Sequence, residues 1–485
     1  MKICLINPPV EMNNRLWYPI GICYVAASLI NNGFQVEIID VIGENLSRDK
    51  FKKRLFGCHA DFFGIGGLIM AFNNVVDIAR MIKETHPHSF IFAGNTVGST
   101  IPEILLHNSS VDAIIMGEGE ITTVDLIEAV KNGKKLEDVK GIAFKTEESN
   151  VFITSPRPPI ENLDELPYPA WDLIPMKNYF ENYGRNVYPV SSVRGCPYNC
   201  IFCCKTFIGY KVRSRSPESI LNELIEIKKR FDIESFMFFD DLFLYNKKRA
   251  IEFCQLKEKS PLKDMEWTAS ARVDSLNDEL LLALKKSNCI DLGVGFESAS
   301  QNILDFYNKK ITIEQSQKAI DLCKKYDMAL NGASFMIGAP DETLETVKES
   351  VDFCRKNGLR YEPHFVTPYP KTPLYDYAIQ KNLIKDELGY IKKISKYGNT
   401  NYIILNLTHN FTDQELYTLR EKSIYFPSAI SKNLTYYMRE GKKILERDGI
   451  FGFVDKAVRH TPRIFSNILS PILHTKNQEY SNEWV

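Results

Sequence analysis

The chain has 485 residues, 44% of them hydrophobic, so it can form several sizeable cores, and about 150 residues per domain gives about three domains. Its 60 lysines and arginines balance 61 aspartates and glutamates, for a net charge of -1, which argues against a general nucleic-acid-binding surface and favours a small-molecule partner. No apolar run reaches the roughly 18 residues that span a bilayer, and the first run ends at Asn7, so we expect a cytoplasmic protein without a signal peptide or transmembrane segment.

Apolar segments of strand length alternate with segments of helical period through residues 1–140. These apolar segments are residues 2–8, 36–42, 62–69, 90–95 and 112–120. Continuous apolar strands separated by helices are typical of a parallel sheet that is covered on both faces. The pattern predicts a doubly wound, Rossmann-like α/β domain whose ligand lies beyond the carboxyl ends of the strands.

Four turns that follow these strands contain small or turn-forming residues. We expect them to bind the ligand of this domain through Asn7, Pro8, Gly66, Gly67, Gly94, Asn95, Gly117, Glu118, Gly119 and Glu120. One glycine after a strand often serves only the turn, but four such turns at one edge favour a binding face for a large ligand. No G-x-G-x-x-G follows the first strand, so a dinucleotide is not indicated.

Residues 141–188 are predicted to be a connector, with a hairpin followed by a strap in which Pro167, Pro169 and Pro175 exclude a long helix. A second alternation of strands and helices occupies residues 189–384. Its predicted strands are residues 189–194, 235–241, 266–274, 291–298, 330–338 and 362–370. Six units are two fewer than a complete eight-stranded barrel contains, so we expect a partial, TIM-like (β/α)6 barrel with its chemistry at the carboxyl ends of the strands.

Three cysteines follow the first predicted barrel strand at C-x3-C-x2-C spacing, Cys196, Cys200 and Cys203. Such a loop can hold a 4Fe-4S cluster and leave one iron without a cysteine. A zinc site is the alternative, but no fourth ligand follows at the usual spacing. The other strand ends place polar or turn-forming residues at the same predicted rim, namely Asp240, Asp241, Arg272, Glu297, Gly338, Pro340, His364 and Tyr369.

The motifs RGCPYNCIFC, FFDD, SARVD, GFES, MIGAPDET and TPYPKTPLYD, in this order, resemble those of the radical S-adenosylmethionine (SAM) enzymes. The segments FAGNTVGSTIPE and VDAIIMGEGE resemble the cobalamin-binding domain that precedes the barrel in one branch of that superfamily. The resemblance covers roughly residues 1–380 and extends to the fold and cofactors much more than to the substrate.

The resemblance implies that Cys196, Cys200 and Cys203 ligate a 4Fe-4S cluster whose open iron binds SAM. Reductive cleavage of SAM would then give a 5'-deoxyadenosyl radical that removes hydrogen from an unactivated carbon. The residues that match SAM-binding segments are Phe202, Asp240, Asp241, Arg272, Glu297, Gly338 and Pro340. His364 and Tyr369 are predicted to face the substrate, with ordinary packing as the alternative for His364.

The N-terminal half departs from one common cobalamin-binding pattern, because it lacks D-x-H-x-x-G and has Val97 where related sequences often carry histidine. The resemblance therefore implies a cobalamin that is held by the backbone of the four turns, with its lower cobalt face free or capped by another group. A domain that has lost cobalamin is the alternative.

The leading functional hypothesis is a cobalamin-dependent radical SAM methyltransferase that alkylates an unactivated carbon of a small-molecule, peptide or lipid substrate. Such an enzyme needs a low-potential electron donor, such as flavodoxin or ferredoxin. A radical cyclase or oxidoreductase without net methyl transfer is the second hypothesis, and a non-catalytic iron-sulfur or cobalamin sensor is the third. Residues 385–485 are predicted to form a helical cap, in which the basic, aromatic stretch 431–463 could contact an anionic membrane surface.

Overall fold

The computed structural model describes residues 1–10, 16–205, 209–240, 242–397 and 401–427. Seven strands form the N-terminal sheet: β1 (Lys2–Asn7), β2 (Gln35–Asp40), β3 (Phe62–Gly66), β4 (Phe90–Gly94), β5 (Ala113–Ile115), β6 (Ile142–Lys145) and β7 (Val151–Ile153). Its helices are α1 (Ile20–Asn31), α2 (Arg48–Phe56), α3 (Phe72–Thr85), α4 (Asn95–Thr100), α5 (Pro102–Asn108) and α6 (Gly119–Lys131).

The N-terminal sheet has the strand order β2-β1-β3-β4-β5-β6-β7, and β1 to β5 are parallel. Alternate residues of β1 pack on opposite faces of the sheet: Ile3 and Leu5 join the core beneath α1 and α6, whereas Cys4 and Ile6 join the core beneath α2 and α3. The strand order reverses between β1 and β3. This strand order confirms the predicted doubly wound fold of the N-terminal half. Ligands of such sheets bind where the strand order reverses, which here corresponds to the turns after Asn7 and Gly66.

The predicted hairpin at the start of the connector extends the N-terminal sheet. β6 pairs with β5 in antiparallel orientation, and β7 pairs with β6. The strap that follows is anchored by a fully buried Trp171, whose Nε1 donates a hydrogen bond to the Tyr188 hydroxyl over 2.6 Å. Helix α7 (Met176–Tyr183) adds a second anchor, because the Tyr179 hydroxyl donates to Asp40 over 2.6 Å.

Six parallel strands form the second sheet, and a two-stranded antiparallel ladder lies beside it. The strands of both are β8 (Val187–Val190), β9 (Val193–Arg194), β10 (Arg213–Ser214), β11 (Ser235–Phe238), β12 (Glu266–Ala271), β13 (Cys289–Glu297), β14 (Ala329–Ile337) and β15 (His364–Phe365). The sheet order is β15-β14-β13-β12-β11-β8, and β9 pairs with β10. No pairing joins β15 to β8 among the described residues, so the sheet is the open partial barrel that the sequence predicted.

Amphipathic helices cover the outer face of the barrel: α8 (Pro217–Phe231), α9 (Lys247–Glu258), α10 (Asp278–Lys286), α11 (Gln301–Phe306), α12 (Ile313–Lys325), α13 (Leu344–Asn357) and α14 (Pro373–Gln380). The sixth predicted strand is much shorter than expected, since only His364 and Phe365 pair with β14. Prolines at 363, 368 and 370 cannot donate ladder hydrogen bonds, which explains the short pairing.

Two further helices follow the barrel, α15 (Glu387–Tyr397) and α16 (Asp413–Ser423). Helix α15 returns to the N-terminal half, where the Ser395 hydroxyl donates to the carbonyl of Met70 and accepts from the amide of Asn73. The basic, aromatic stretch 431–463 lies outside the described residues. None of the described helices has the length and apolar character required to cross a membrane.

Candidate active site

The three-cysteine loop lies between β9 and β10, directly beyond the carboxyl end of β8. Arg194 and Arg213 are register partners in this ladder, so the ladder closes the base of the loop. The amide of Cys196 donates to the carbonyl of Gly209 over 3.1 Å, and the amide of Cys203 donates to the carbonyl of Cys200 over 3.2 Å. The loop is thus held by its own backbone as well as by the ladder.

The same loop is fastened to the far side of the barrel. The amide of Ile201 donates to the carbonyl of Tyr307 over 3.1 Å, and the carbonyl of Ile201 accepts from the amide of Leu374 over 2.9 Å. Phe202 packs edge-on against the ring of Tyr307, with 5.5 Å between ring centroids. These contacts fix the position of Phe202 in the cysteine loop, and its contact with SAM stays a prediction.

The sulfurs of the three loop cysteines do not all converge on one point. Among the described residues, the one group of three ligand atoms that all lie within 4.8 Å of each other is Cys4, Glu37 and Cys58, at the amino ends of the N-terminal strands. Cys196, Cys200 and Cys203 do not meet that spacing. Ligands of a single zinc ion must converge on one point, whereas those of an iron-sulfur cube each reach a different iron. The loop therefore does not have the arrangement of a single-ion site, and ligation of a cluster by these cysteines stays a prediction.

Positive charge surrounds the loop, as an anionic cluster requires. Arg272 donates an N–H to the Cys200 sulfur over 3.9 Å and stacks on the ring of Tyr198 at 3.6 Å. It also donates to Asp274 over 3.0 Å and to the carbonyl of Lys309 over 2.8 Å. Arg272, predicted to bind SAM, therefore supports the cluster loop in this structure.

Lys205, two residues beyond Cys203, is a second cation at the loop. Its side chain is 7% exposed, and its Nζ has no hydrogen-bond partner among the described residues. It lies 4.6 Å from the centroid of the Tyr210 ring. A buried ammonium without an acceptor is costly unless an anion is close by. Bound cluster or SAM carboxylate would supply that anion, so this orphaned nitrogen fits the expected cofactors.

A buried ion pair lies at the carboxyl end of β13. Lys309 donates to the Glu297 carboxylate over 2.6 Å, and both side chains are less than one tenth exposed. Glu297 has a φ of 64°, at an irregularity in the pairing of β13 with β14. Glu297 is the last residue of β13, so it lies at the carboxyl end of that strand. Glu297 is a predicted SAM ligand, whereas Lys309 was not identified from the sequence.

Asp240 faces the backbone of the neighbouring strand end. Its carboxylate accepts from the amide and hydroxyl of Ser192, and burial raises the pKa of Asp240 to about 6 although these hydrogen bonds lower it. The structure thus brings Asp240 to the end of the first barrel strand, where both of its carboxylate oxygens accept hydrogen bonds from Ser192. Asp241, the other aspartate predicted to contact SAM, lies outside the described residues.

The turn after β14 is fixed by a buried glutamate. The amide of Gly338 donates to the Glu342 carboxylate over 3.2 Å, and burial raises the pKa of Glu342. The carbonyl of Pro340 accepts from the amide of His409 over 2.9 Å. Gly338 and Pro340 therefore lie in a hydrogen-bonded turn after β14, and their contact with SAM stays a prediction.

The two predicted substrate residues lie in and after β15. The Nδ1 atom of His364 is 3.3 Å from the side-chain oxygen of Asn401, and burial lowers the pKa of His364. Burial raises the pKa of Tyr369 to about 12, so its phenol is neutral near pH 7. Both side chains are half-buried at the same strand end, and a substrate contact remains a prediction for each.

The turns of the N-terminal sheet contain both open and packed positions. A Cβ on Gly117 would meet no described atom within 4 Å, and one on Gly66 would meet only Ile22 at 3.8 Å. Gly67 packs against Ala71 and Pro8, and Gly94 packs against Ile115. The edge of the sheet near Gly66 and Gly117 is therefore open, and cobalamin binding there stays a prediction.

Asn7, Asn95, Glu118 and Glu120 have protein partners of their own. The Asn7 amide donates to Asp40 over 2.8 Å, and Asn95, exposed and with a φ of 66°, accepts from the amide of Thr96. Glu118 and Glu120 extend toward the cluster loop and pair with arginines, as described below. Gly119 begins α6 and packs against Val25. The four turns are therefore brought to one edge, but several of their side chains are already occupied.

Comparison with known proteins assigns the two halves of the chain. The family model for the radical SAM superfamily matches residues 190–354, and the B12 binding domain matches residues 14–127. A protein named as an uncharacterized methyltransferase from Pyrococcus horikoshii is 34% identical over 477 residues, covering 96% of this chain and 99% of that protein. An anaerobic magnesium-protoporphyrin IX monomethyl ester cyclase from Rubrivivax gelatinosus is 31% identical over 388 residues, covering 77% and 69%, respectively.

Two solved structures share the fold. The radical SAM methyltransferase TsrM from Kitasatospora setae has a TM-score of 0.67 at 18% identity, covering 79% of this chain and 77% of that one. The cobalamin-dependent SAM radical enzyme OxsB has a TM-score of 0.66 at 21% identity, covering 99% and 74%. The chain belongs to the radical SAM superfamily, in the branch whose cofactors are a 4Fe-4S cluster, SAM and cobalamin.

Proposed function

We propose that the protein is a methyltransferase that alkylates an unactivated carbon. The observation that carries the proposal is the direct contact between the two cofactor-binding parts: Glu118, one residue after Gly117, pairs with Arg194, two residues before Cys196, over 2.9 Å. This contact brings the open edge of the B12-binding sheet to the base of the cluster loop. The names of several relatives, including the protein from Pyrococcus horikoshii, support methyl transfer.

In this proposal each group of side chains has a defined task. Cys196, Cys200 and Cys203 hold the cluster, Lys205 balances part of its negative charge, and Arg272 supports the loop through its contact with the Cys200 sulfur. When bound, the cluster and SAM supply the radical and cobalamin supplies the methyl group. The Glu297–Lys309 pair offers one acceptor and one cation, which suit the ribose hydroxyls and the carboxylate of SAM. The fixed turn at Gly338 shapes the adjoining wall.

The proposed partners are a small-molecule, peptide or lipid substrate and a low-potential donor such as flavodoxin or ferredoxin. We place the enzyme in the cytoplasm, because closely spaced cysteines such as those of the loop bind metal more readily than they form disulfides in a reducing compartment. The boundaries that we propose are residues 1–140, 141–188, 189–384 and 385–485. The hairpin of the second segment continues the first sheet, and the first barrel strand, β8, already begins at Val187 within that segment.

Anaerobic reconstitution tests the proposal. Protein with cluster, cobalamin, SAM and dithionite should form 5'-deoxyadenosine and S-adenosylhomocysteine, and Cys196→Ala should form no 5'-deoxyadenosine. Cys254→Ala is the matched control, because Cys254 is a buried cysteine within α9 and away from the loop. Failure of the wild-type protein to form 5'-deoxyadenosine would exclude radical chemistry.

A radical cyclase is the second candidate, favoured by the 31% identity to the Rubrivivax gelatinosus cyclase. The same experiment distinguishes the two. A cyclase would form 5'-deoxyadenosine without stoichiometric S-adenosylhomocysteine, whereas a methyltransferase consumes one SAM for each of the two products.

A further inference from the structure

Four charged side chains form a buried network between the two cofactor-binding parts, and we name them the clamp: Glu118, Glu120, Arg194 and Arg213. Arg194 donates to Glu118 over 2.9 Å and to Glu120 over 2.5 Å. Arg213 donates to Glu118 over 2.8 Å and to the carbonyl of Ile160 over 2.7 Å. Both glutamates lie within the region that matches the B12 binding domain, and both arginines lie within the region that matches the radical SAM superfamily.

The clamp is well shielded from water. The side chains are 2% exposed for Arg213, 6% for Glu120, 9% for Glu118 and 15% for Arg194. Burial alone would raise the pKa of Glu118, but the hydrogen bonds from Arg213 and Arg194 hold that pKa below its usual range. Two carboxylates and two guanidiniums balance each other, so the network is neutral as a whole.

The position of the clamp in the chain links the two sites. Arg194 and Arg213 are register partners in the β9–β10 ladder, so residues 195–205, with the three cysteines, follow directly from one member of this pair, and residues 209–212 lead back to the other. On the other side, Glu118 directly follows Gly117, in the turn where a Cβ would meet no described atom within 4 Å. The clamp is therefore close along the chain both to the cluster cysteines and to the turn at Gly117.

We propose that the clamp residues are positioning residues that fix the separation and orientation of cobalamin relative to the iron-sulfur cluster. The inference rests on the proposed function, in which both cofactors serve one reaction. Fork-shaped guanidiniums suit this role because Arg194 binds two carboxylates at once, and Arg213 binds a carboxylate and a backbone carbonyl. None of the four side chains needs to touch a cofactor or substrate.

The test uses the full chain loaded with both cofactors. Glu118→Gln removes the anion that both arginines share, and Arg213→Lys keeps the charge but removes the fork. Pulsed electron paramagnetic resonance measures the dipolar coupling between cob(II)alamin and the reduced cluster. We expect both variants to retain iron and cobalt and to broaden the distribution of cobalt–cluster distances. Loaded variants with the wild-type distribution would overturn the proposal.

Arg185→Lys is the matched control, because the Arg185–Glu266 pair, at 3.3 Å, joins two strand starts within the barrel. It should leave the distance distribution unchanged. Hydrogen exchange of the purified chain provides a second readout that does not depend on bound cobalamin. Glu118→Gln should speed the exchange of amides in residues 195–212 by about tenfold or more, through easier local opening. Unchanged exchange there would contradict the clamp, whereas absence of cobalamin from the wild-type protein would contradict the proposed function alone.

Discussion

Replacing Gly195 by alanine should prevent the cluster loop from holding its iron. Gly195 directly precedes Cys196 and has a φ of 91°, a backbone conformation that residues with a side chain rarely adopt. A Cβ there would lie 2.0 Å from the carbonyl oxygen of Lys211 and 2.7 Å from its carbon. Both atoms belong to the backbone, so the clash cannot be relieved by rotation of a side chain. The two ends of the loop must separate instead.

The size of the effect follows from two contributions. A left-handed conformation costs a residue with a Cβ about 1–2 kcal/mol. Relieving the overlap adds about 1–3 kcal/mol, as for other overpacked sites, so we expect Gly195→Ala to lose roughly 2–5 kcal/mol. Gly209→Ala is the matched control: Gly209 lies in the same loop with a φ of 73°, but its Cβ would meet no described atom within 4 Å. It should lose only the conformational part.

The assay is iron and sulfide content after anaerobic reconstitution, together with thermal unfolding of the same samples. Gly195→Ala should retain less than half of the wild-type iron, whereas Gly209→Ala should retain most of it. Equal iron contents and equal unfolding temperatures in the two variants would refute the reasoning, because both share the backbone strain and differ only in the overlap.

Three further predictions concern lysines with unusual surroundings. Lys309→Met should weaken SAM binding by about 10-fold to 100-fold in calorimetry, because it removes a charge-assisted partner, and Lys310→Met, at an exposed neighbour, should not. Lys205→Met should lower the cluster reduction potential by on the order of 50 mV in a redox titration, while Lys211→Met, which is exposed, serves as the control; an unchanged potential would exclude the electrostatic role. Burial lowers the pKa of Lys257 to about 8, so the unfolded chain binds more protons above that pH and stability rises from about pH 8 to 10. In urea unfolding, the free energy of unfolding of the wild-type protein should rise relative to that of Lys257→Met from pH 8 to pH 10. A difference between the two proteins that does not change with pH would contradict the lowered pKa of Lys257.

The elements of the fold could be predicted because their signals are local. Every predicted N-terminal strand is present, since buried parallel strands read as continuous apolar runs. The predicted barrel strands are present as well, with two differences. The predicted strand 189–194 is divided between β8, which begins at Val187, and β9 of the separate ladder, and the last strand is reduced to His364 and Phe365 by the prolines around it. The hairpin at β6 and β7 was recognised as a hairpin, but its pairing with β5 depends on a distant edge that no local pattern encodes.

Side-chain partners were harder to predict than strand ends. Glu118 and Glu120 lie in a glycine-rich turn and were expected to contact cobalamin, yet their partner Arg194 lies 76 and 74 residues away. Asp240 was expected to face SAM, but β11 lies beside β8, and so its carboxylate reaches Ser192, 48 residues distant. In both cases the residue was placed at the correct strand end, and the fold decided which neighbour it meets.

The charges around the loop explain why Lys205 and the clamp have different roles. Arg194 and Arg213 are neutralised by Glu118 and Glu120, and Arg272 pairs with Asp274. Lys205 has no hydrogen-bonding carboxylate among the described residues, so it is the cation whose charge remains available to an anionic cluster. Loss of Lys205 should therefore change the cluster potential without moving the cofactors. Arg213→Lys retains its charge and should do the reverse, so the two variants together separate electrostatic tuning from positioning.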